Sequence, residues 1–349
     1  MRTKSSSNGN TPRRVTLQDI ARVAGVHVMT VSDALGDRRS VAPATREKIK
    51  AIAREMNYIP NLAARALVTG QTGTIAVLSG PVNESYYATM VHLLENQLSG
   101  DGFKLLLVRF GHEVKDIVGA TGNTAVDGAI AIDQHELVQQ FRQRPSLPCV
   151  SIGTITQTFL DHVIIDLSAG VREALGIMVA AGRRRIAYVI TAPELGEPRE
   201  VRARAYLAAM NDAELKPEII NVASDDFPTV RANLRAHLET HGVPDALLCQ
   251  NDETAMCAFR VVRDLGRAVP DDVLLVGCDG QWHMDYFDPP LATIAQPMEE
   301  ACAAAWRFLQ ARLKNPDLPL QEVTLQGTLL ARASLCPSAL QSEERNACE

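Results

Sequence analysis

Residues 15–36, VTLQDIARVAGVHVMTVSDALG, hold two short helical patterns joined by a glycine turn. Thr16 with Asp19 three residues later has the spacing of a capping box, Asp standing in the Glu position, and Leu17, Ile20, Ala21 and Ala24 follow at i, i+3, i+4 and i+7. Gly25 breaks that helix. A second run over 28–35 turns Val31 and Leu35 inward and ends at Gly36. A third opens near Pro43, whose fixed φ suits a first helical turn, and carries Ile49, Ile52, Ala53 and Met56 on one stripe. Three helices of about ten residues with a tight turn between the first two make a helix-turn-helix unit. Two helix starts lack the usual Ser or Asp cap, having His27 and Ala42 instead, so weak capping is expected at both.

Upstream, residues 1–14 are rich in Ser, Asn, Gly and Arg and read as a flexible basic arm. Downstream, Asn57-Tyr58-Ile59-Pro60-Asn61 closes the unit, because a residue before proline avoids the helical region. Residues 62–67 form a short helix-capable stretch with Asn61 as its cap, too short to be stable alone in water, so it needs a partner to fold. Residues 70–73 are a loose connection.

Charge divides the chain at the same place. Residues 1–73 hold twelve Lys and Arg against five acids, a net +7, whereas the remainder holds 23 against 36, a net −13. A basic head on an acidic body points to a polyanion partner for the head alone. Over the whole 349 residues, 46% hydrophobic and 22% charged residues describe an ordinary globular protein of two or three domains and exclude the disordered and collagen-like classes. No apolar run approaches the ~20 residues that cross a bilayer. The polar start, MRTKSSSNGNTPRR, does not read as a secretory signal. Seven scattered cysteines without C-x-x-C spacing read as buried thiols in a reducing cytoplasm, with no metal site expected.

From Thr74 the texture changes. Short apolar runs at 75–78, 105–108, 129–132, 150–152, 163–165, 186–190, 219–222, 246–249 and 274–277 alternate with amphipathic helical stretches at 87–98, 168–181, 200–211, 230–241, 253–265 and 299–313. Alternation of this kind gives parallel sheets covered on both faces. The count is too large for one compact sheet, so two doubly wound lobes with a ligand cleft at the strand carboxyl ends are expected. Enzyme signatures are missing: there is no G-x-S-x-G, Walker A or H-E-x-x-H, and Gly100-Asp101-Gly102 follows a helix rather than a strand, as a turn does. No catalytic residue and no cofactor is expected.

The head resembles the LacI/GalR family of bacterial transcriptional regulators. The resemblance is carried by residues 15–21 (VTLQDIA), 24–26 (AGV), 30–32 (TVS), Val41, 45–49 (TREKI) and 57–61 (NYIPN). The body continues it at 182–187 (GRRRIA), Asn251-Asp252, 276–280 (VGCDG) and 289–294 (PPLATI) with Gln296. It implies an α/β architecture: an N-terminal three-helix helix-turn-helix domain (15–60), a hinge helix and linker (61–73), and a two-lobed core like periplasmic binding proteins. One lobe would hold 74–165 with 296–326, the other 166–295 with 327–336, before a disordered tail at 337–349 that lacks the leucine heptads of a tetramer-forming coiled coil.

By the same resemblance the helix from Val28 enters the major groove, with His27, Val28, Met29 and Asp33 as base readers and Thr16, Leu17, Thr30, Ser32 and Tyr58 completing the DNA-binding set. Val28 and Met29 can touch thymine methyls but form no bidentate pair; simple packing is the other reading of Val28. Asp33 departs from the family, where a polar donor is common, and a carboxylate near phosphates is tolerated where it accepts from cytosine N4. Leu67 is expected to wedge into the minor groove from a hinge helix paired with that of a second subunit, Ala63, Ala64 and Ala66 keeping the pair slim. For the effector cleft the resemblance indicates Tyr86 and Tyr87 in the loop after the first strand, then Arg202, Phe227, Asn251 and Asp279. Core packing is the alternative for Tyr87, and capping or arginine pairing for Asp279. A family carboxylate after the fourth strand is replaced by Gly153, which favours a less polar or bulkier ligand unless Asp133, after the third strand, compensates.

The expected protein is thus a cytoplasmic, nucleoid-associated homodimer on a pseudopalindromic operator, a repressor of a catabolic operon released or engaged by a sugar or sugar acid. A periplasmic-type sugar-binding protein without a transcription role is the alternative; it needs a signal peptide and no basic head.

Overall fold

The computed structural model describes residues 15–36, 41–59, 71–109, 126–134, 147–155, 159–224 and 226–336. The expected basic arm, hinge helix with Leu67 and C-terminal tail lie outside them. The chain divides into two units, one ending at Thr72 and the other beginning at Gly73.

The first unit is three helices: α1 (Leu17–Ala24), α2 (Val28–Leu35) and α3 (Pro43–Glu55). The capping box forms: the Asp19 amide donates to Thr16 Oγ1 at 3.3 Å while the Thr16 amide donates to Asp19 Oδ2 at 3.0 Å. Gly25 ends α1 in the left-handed region at φ 71°, a conformation that costs glycine little and other residues more. Lys48 of α3 reaches back to the Ala24 carbonyl at 3.2 Å, placing a cation on the C-terminus of α1. Ile20, Val31, Ala34 and Ile49 are fully buried where the helices meet. One expectation needs correcting. His27 does cap α2, its Nδ1 accepting from the Met29 amide at 3.3 Å, because an imidazole nitrogen reaches the amide that serine usually takes. Ala42, as expected, makes no side-chain cap.

The second unit holds two six-stranded sheets. The first contains β1 (Thr74–Ser79), β2 (Lys104–Arg109), β3 (Gly128–Ile132), β4 (Cys149–Gly153), β5 (Asp161–Asp166) and β11 (Glu322–Gln326), in the order β11-β5-β4-β3-β1-β2, all parallel. The second contains β6 (Ile186–Ile190), β7 (Glu218–Asn221), β8 (Ala246–Cys249), β9 (Leu274–Asp279), β10 (Ala292–Ala295) and β12 (Thr328–Leu330), in the order β12-β10-β9-β8-β6-β7. Here β12 runs antiparallel and the rest parallel. Helices α4 (Ser85–Gly100) and α9 (Met298–Lys314) pack on the first sheet. The second carries α5 (Ser168–Ala180), α6 (Val201–Asp212), α7 (Phe227–His241) and α8 (Asp252–Asp264).

Apolar periodicity explains the packing. In α4, Tyr86, Met90, Leu94 and Leu98 recur every fourth residue and are all buried. The arginines of the 182–187 segment are structural: Arg183 donates to the carbonyls of residues 270–272, and Arg185 makes a two-pronged pair with Glu218, both bonds 2.7 Å. A second two-pronged pair, Arg312 with buried Asp161 at 2.7 and 3.0 Å, ties α9 to β5.

The chain passes between the sheets three times, after β5, β10 and β11, and the passages press together. A Cβ on Gly327 would overlap Leu167 Cδ2 and lie 3.0 Å from the Ala295 carbonyl. Strand order reverses between β1 and β3 in one sheet and between β6 and β8 in the other, which opens a crevice beyond the carboxyl ends of those strands.

Candidate functional site

The segments leaving β1, β3, β6 and β8 deliver the polar residues of this crevice. On the first lobe Tyr86 and Tyr87 lie in the first turn of α4, directly after the loop in which the sequence placed them. Their rings meet edge-on at 5.1 Å. Gly80 makes room for Tyr87: a Cβ there would fall inside its ring, so the ring lies across the loop after β1 while also packing against the edge of the core. Burial raises both phenols well above their ordinary pKa, and the neighbouring Asp133 carboxylate adds to this.

Asp133 follows β3 directly, in the left-handed region at φ 52°. Its carboxylate accepts from the Tyr86 hydroxyl and the Thr154 amide. It also fills the place left by Gly153, because a Cβ on Gly153 would lie 2.7 Å from Asp133 Oδ1. The absent side chain after β4 therefore leaves no apolar gap; a carboxylate from the neighbouring strand end occupies it. Although open to the solvent of the crevice, Asp133 is walled by protein, and that desolvation pushes it up to about 6 against the pull of Arg202.

The second lobe answers with Arg202, buried in the first turn of α6. Its Nε donates to Glu200 Oε1 at 2.9 Å and its Nη1 to the Gln250 carbonyl. Burial is the largest influence and works against its charge, but Glu200, with Tyr188, Cys278 and Asp279 adding to it, holds Arg202 well above its ordinary value. Asp279, at the end of β9, is buried with φ 121°, and its Oδ1 accepts from Gln296 Nε2 at 2.7 Å. It neither caps a helix nor forms a close arginine pair among the described residues; burial raises it well above the carboxylate range, and Asp252 and Glu253 add to the shift. Behind it, Asp252 accepts from Thr293 Oγ1 at 2.6 Å and the Gln281 amide at 2.7 Å. Asn251 caps α8 by accepting from the Thr254 amide at 2.8 Å, so half of its amide serves the fold. Phe227 opens α7 and lines a groove of about 630 Å³ with Arg231, Met256, Cys257 and Glu253. Glu253 is what this groove shares with the crevice: its Oε1 accepts from the Ser85 amide of the opposite lobe at 2.8 Å.

Sequence reasoning gave no site role to Glu200, Gln250, Glu253 or Gln296, although Gln296 stood in the segment carrying the family resemblance. Glu200 stands two residues before Arg202, and an acid so close to a buried arginine was a usable signal; the other three come together only through the fold. Several buried polar atoms around the crevice are left without a partner among the described residues: Ser79 Oγ, Tyr188 Oη, Glu253 Oε2, Gln281 Nε2 and Gln296 Oε1. Buried polar groups are normally bonded, so such orphans mark where a ligand or water belongs.

In the first unit, Met29 is 59% exposed, and His27 and Ser32 are exposed along the same helix start. Thr30 and Asp33 are half-buried. Leu17, Val28 and Tyr58 are half-buried and pack on the three-helix core, so each has a structural share in its position. The Thr16 hydroxyl donates to Asp19 Oδ2 at 2.7 Å. Leu67 lies outside the described residues.

A three-helix reader of DNA and a bilobed crevice on one chain define a transcriptional regulator. Residues 16–61 match the family of bacterial regulatory proteins, lacI family, and residues 176–335 match a periplasmic binding protein-like domain. The HTH-type transcriptional regulator CelR of Thermobifida fusca is 31% identical over 336 residues, covering 92% of this chain and 98% of the relative. A solved CelR–cellobiose complex shares 27% identity at TM-score 0.64, over 92% of this chain and all of that one. The lac repressor dimer bound to operator and an anti-inducer shares 25% identity at TM-score 0.76, over 93% of this chain and 99% of that one. The chain belongs to the lacI family and is a DNA-binding regulator, not an enzyme. No described helix is long and apolar enough to cross a membrane.

Proposed function

We propose that this protein is a cytoplasmic, nucleoid-associated repressor of a catabolic operon that binds a pseudopalindromic operator as a homodimer and is controlled by a carbohydrate-like effector held between its lobes. The observation that carries the reading is the convergence of Tyr86, Tyr87 and Asp133 from one lobe with Arg202 and Asp279 from the other, within one mutual electrostatic field. A ligand bonded to both sides fixes the angle between the lobes, and by linkage changes DNA affinity, typically by ~1–3 kcal/mol. The head supplies the DNA contacts: His27, Met29 and Ser32 at the exposed start of α2, with Val28, Thr30 and Asp33 beside them, the first turn of α1 at Thr16 and Leu17, Tyr58, and the Leu67 wedge. The periplasmic-type alternative is not favoured, because its lobes would need no lacI-type head.

Binding of genomic fragments, followed by gel shift between 50 and 200 mM salt, tests the reading. Specific retention of a fragment bearing an inverted repeat is expected, with affinity falling about a thousandfold or more over that range as counterions are displaced. Indifference to every fragment at low salt overturns it.

A further inference from the structure

Helix α4 starts without a side-chain cap from its own N-cap residue. Glu84 stands there and makes no capping bond, so the amide donors of the first turn, which carries Tyr86 and Tyr87, call for an acceptor from elsewhere. One arrives from the other lobe. Glu253, the second residue of α8 and 168 positions away in sequence, accepts from the Ser85 amide at 2.8 Å through Oε1. A helix start carries positive partial charge, and this carboxylate lies in the first turn of one helix and against the first turn of the other.

Within its own lobe Glu253 is unfavourably placed. It is 3% exposed, and its charge helps to push up the buried carboxyls of Asp252 and Asp279. Arg231, Arg235 and Arg260 line the groove beside it, yet no salt bridge joins it to a cation among the described residues; Arg235 holds Glu239 and Arg260 holds Asp264. It is not needed as the cap of α8, because Asn251 serves there through the Thr254 amide. Its Oε2 is left without a partner among the described residues. A buried acid that strains its own lobe and satisfies the opposite one acts between the lobes.

We infer that Glu253 is a positioning residue that clasps the lobes: it caps α4 across the crevice, so the turn holding Tyr86 and Tyr87 is completed only when the lobes are closed. Closure then carries a contribution of its own to operator affinity, separate from any bond the effector makes. The inference rests on the regulatory reading above and adds a residue to it. When the lobes part, α4 loses its cap and the carboxylate regains water, so the clasp is worth about one capping bond and can be released by a ligand.

The test uses the full-length protein and the inverted-repeat fragment retained in the gel shift. In Glu253→Ala, hydrogen exchange at residues 85–88 should quicken about fivefold, the loss expected for one capping bond. Operator affinity should change by about the same factor, its sign telling whether the closed form grips or releases DNA. Glu84→Ser then separates capping from clasping, since a serine at the N-cap gives α4 an acceptor of its own. In the double variant, Glu84→Ser with Glu253→Ala, exchange should return to the parent rate while operator affinity stays shifted. Circular dichroism monitors folding. Should the alanine variant not fold, Glu253→Gln, which keeps the shape and one acceptor but not the charge, takes its place with an expected change of about two- to fivefold in each reading. Exchange unchanged by the loss of Glu253 overturns the inference, as does an unchanged operator affinity. A double variant restored in both readings overturns it too, because Glu253 would then be a local cap and nothing more. A parent that retains no fragment defeats the regulator and the clasp together; a parent that retains one which Glu253→Ala binds equally well defeats the clasp alone.

Discussion

The two lobes facing each other across the crevice share a strand order and differ in how their polar residues are held. On the second lobe each is braced by hydrogen bonds, two apiece for Asp252 and Arg202 and one for Asp279. Asp252 is fixed by Thr293 and the Gln281 amide, Asp279 by Gln296, and Arg202 by Glu200 and Gln250. On the first lobe the polar content includes Asp133 and two tyrosines, made possible by two missing side chains, Gly80 and Gly153. One wall is thus a preorganised network, which loses little freedom when a ligand binds. The other is a shape cut out by glycines, easily retuned by adding an atom.

The contrast is broken or sharpened by substitutions ranked by their cost. Arg202→Ala should be the most destabilising, by about 3–5 kcal/mol, since it leaves Glu200, 1% exposed, as an uncompensated buried charge. Denaturant unfolding reads this directly, and a loss under 1 kcal/mol would mean that the wall is not braced as described. Gly277→Ala follows at about 1–3 kcal/mol, because a Cβ would overlap Asp252 Oδ1 and approach Asp252 Cα to 3.2 Å, forcing the network apart. On the first lobe Gly80→Ala should cost only about 1 kcal/mol, as the half-exposed Tyr87 ring can swing away. Its mark should be on effector affinity instead, measured by calorimetry with cellobiose and ribose as probes.

The same contrast explains what was legible in the sequence. The head was readable because its determinants are local: Thr16 and Asp19 lie one turn apart, Gly25 stops a helix at its own position, and the buried stripe repeats every three or four residues. Nine strands were readable as apolar runs, whereas three were missed. β11 alternates exposed and half-buried residues at a sheet edge, β12 is three residues long, and β10 is a four-residue strand within a proline-bounded segment. Their pairing partners, β5 and β10 for the two edge strands, supply the order that their composition does not. Arg202 and Asp279 were legible through the family resemblance. The exchange of roles between Asp133 and Gly153 was open in the sequence, since it depends on two strand ends 20 residues apart standing side by side, with Asp133 donating its amide to the Ile152 carbonyl at 2.9 Å.

That exchange yields the smallest effect and the most specific one, a pH dependence. An acid whose folded-state pKa stands above its unfolded value holds its proton more tightly in the folded chain, so its contribution to stability is complete below the unfolded value and is lost as pH rises through the folded one. For Asp133 the window runs from the ordinary 3.8 to about 6. The groups that face it set the size of the effect: Arg202 and the Tyr86 hydroxyl favour the charged form, Glu200 and desolvation oppose it, and the solvent of the crevice screens all of them. The melting temperature of the parent relative to Asp133→Asn should therefore decline between pH 4 and pH 6.5, by an amount equivalent to less than about 1 kcal/mol because the carboxyl is exposed. Asp252 and Asp279 titrate in both proteins and largely cancel from the difference. A difference flat with pH would mean that Asp133 sits in water like any surface carboxylate; one that rises with pH would mean that Arg202 dominates it, and the first lobe would then be braced across the crevice by the second.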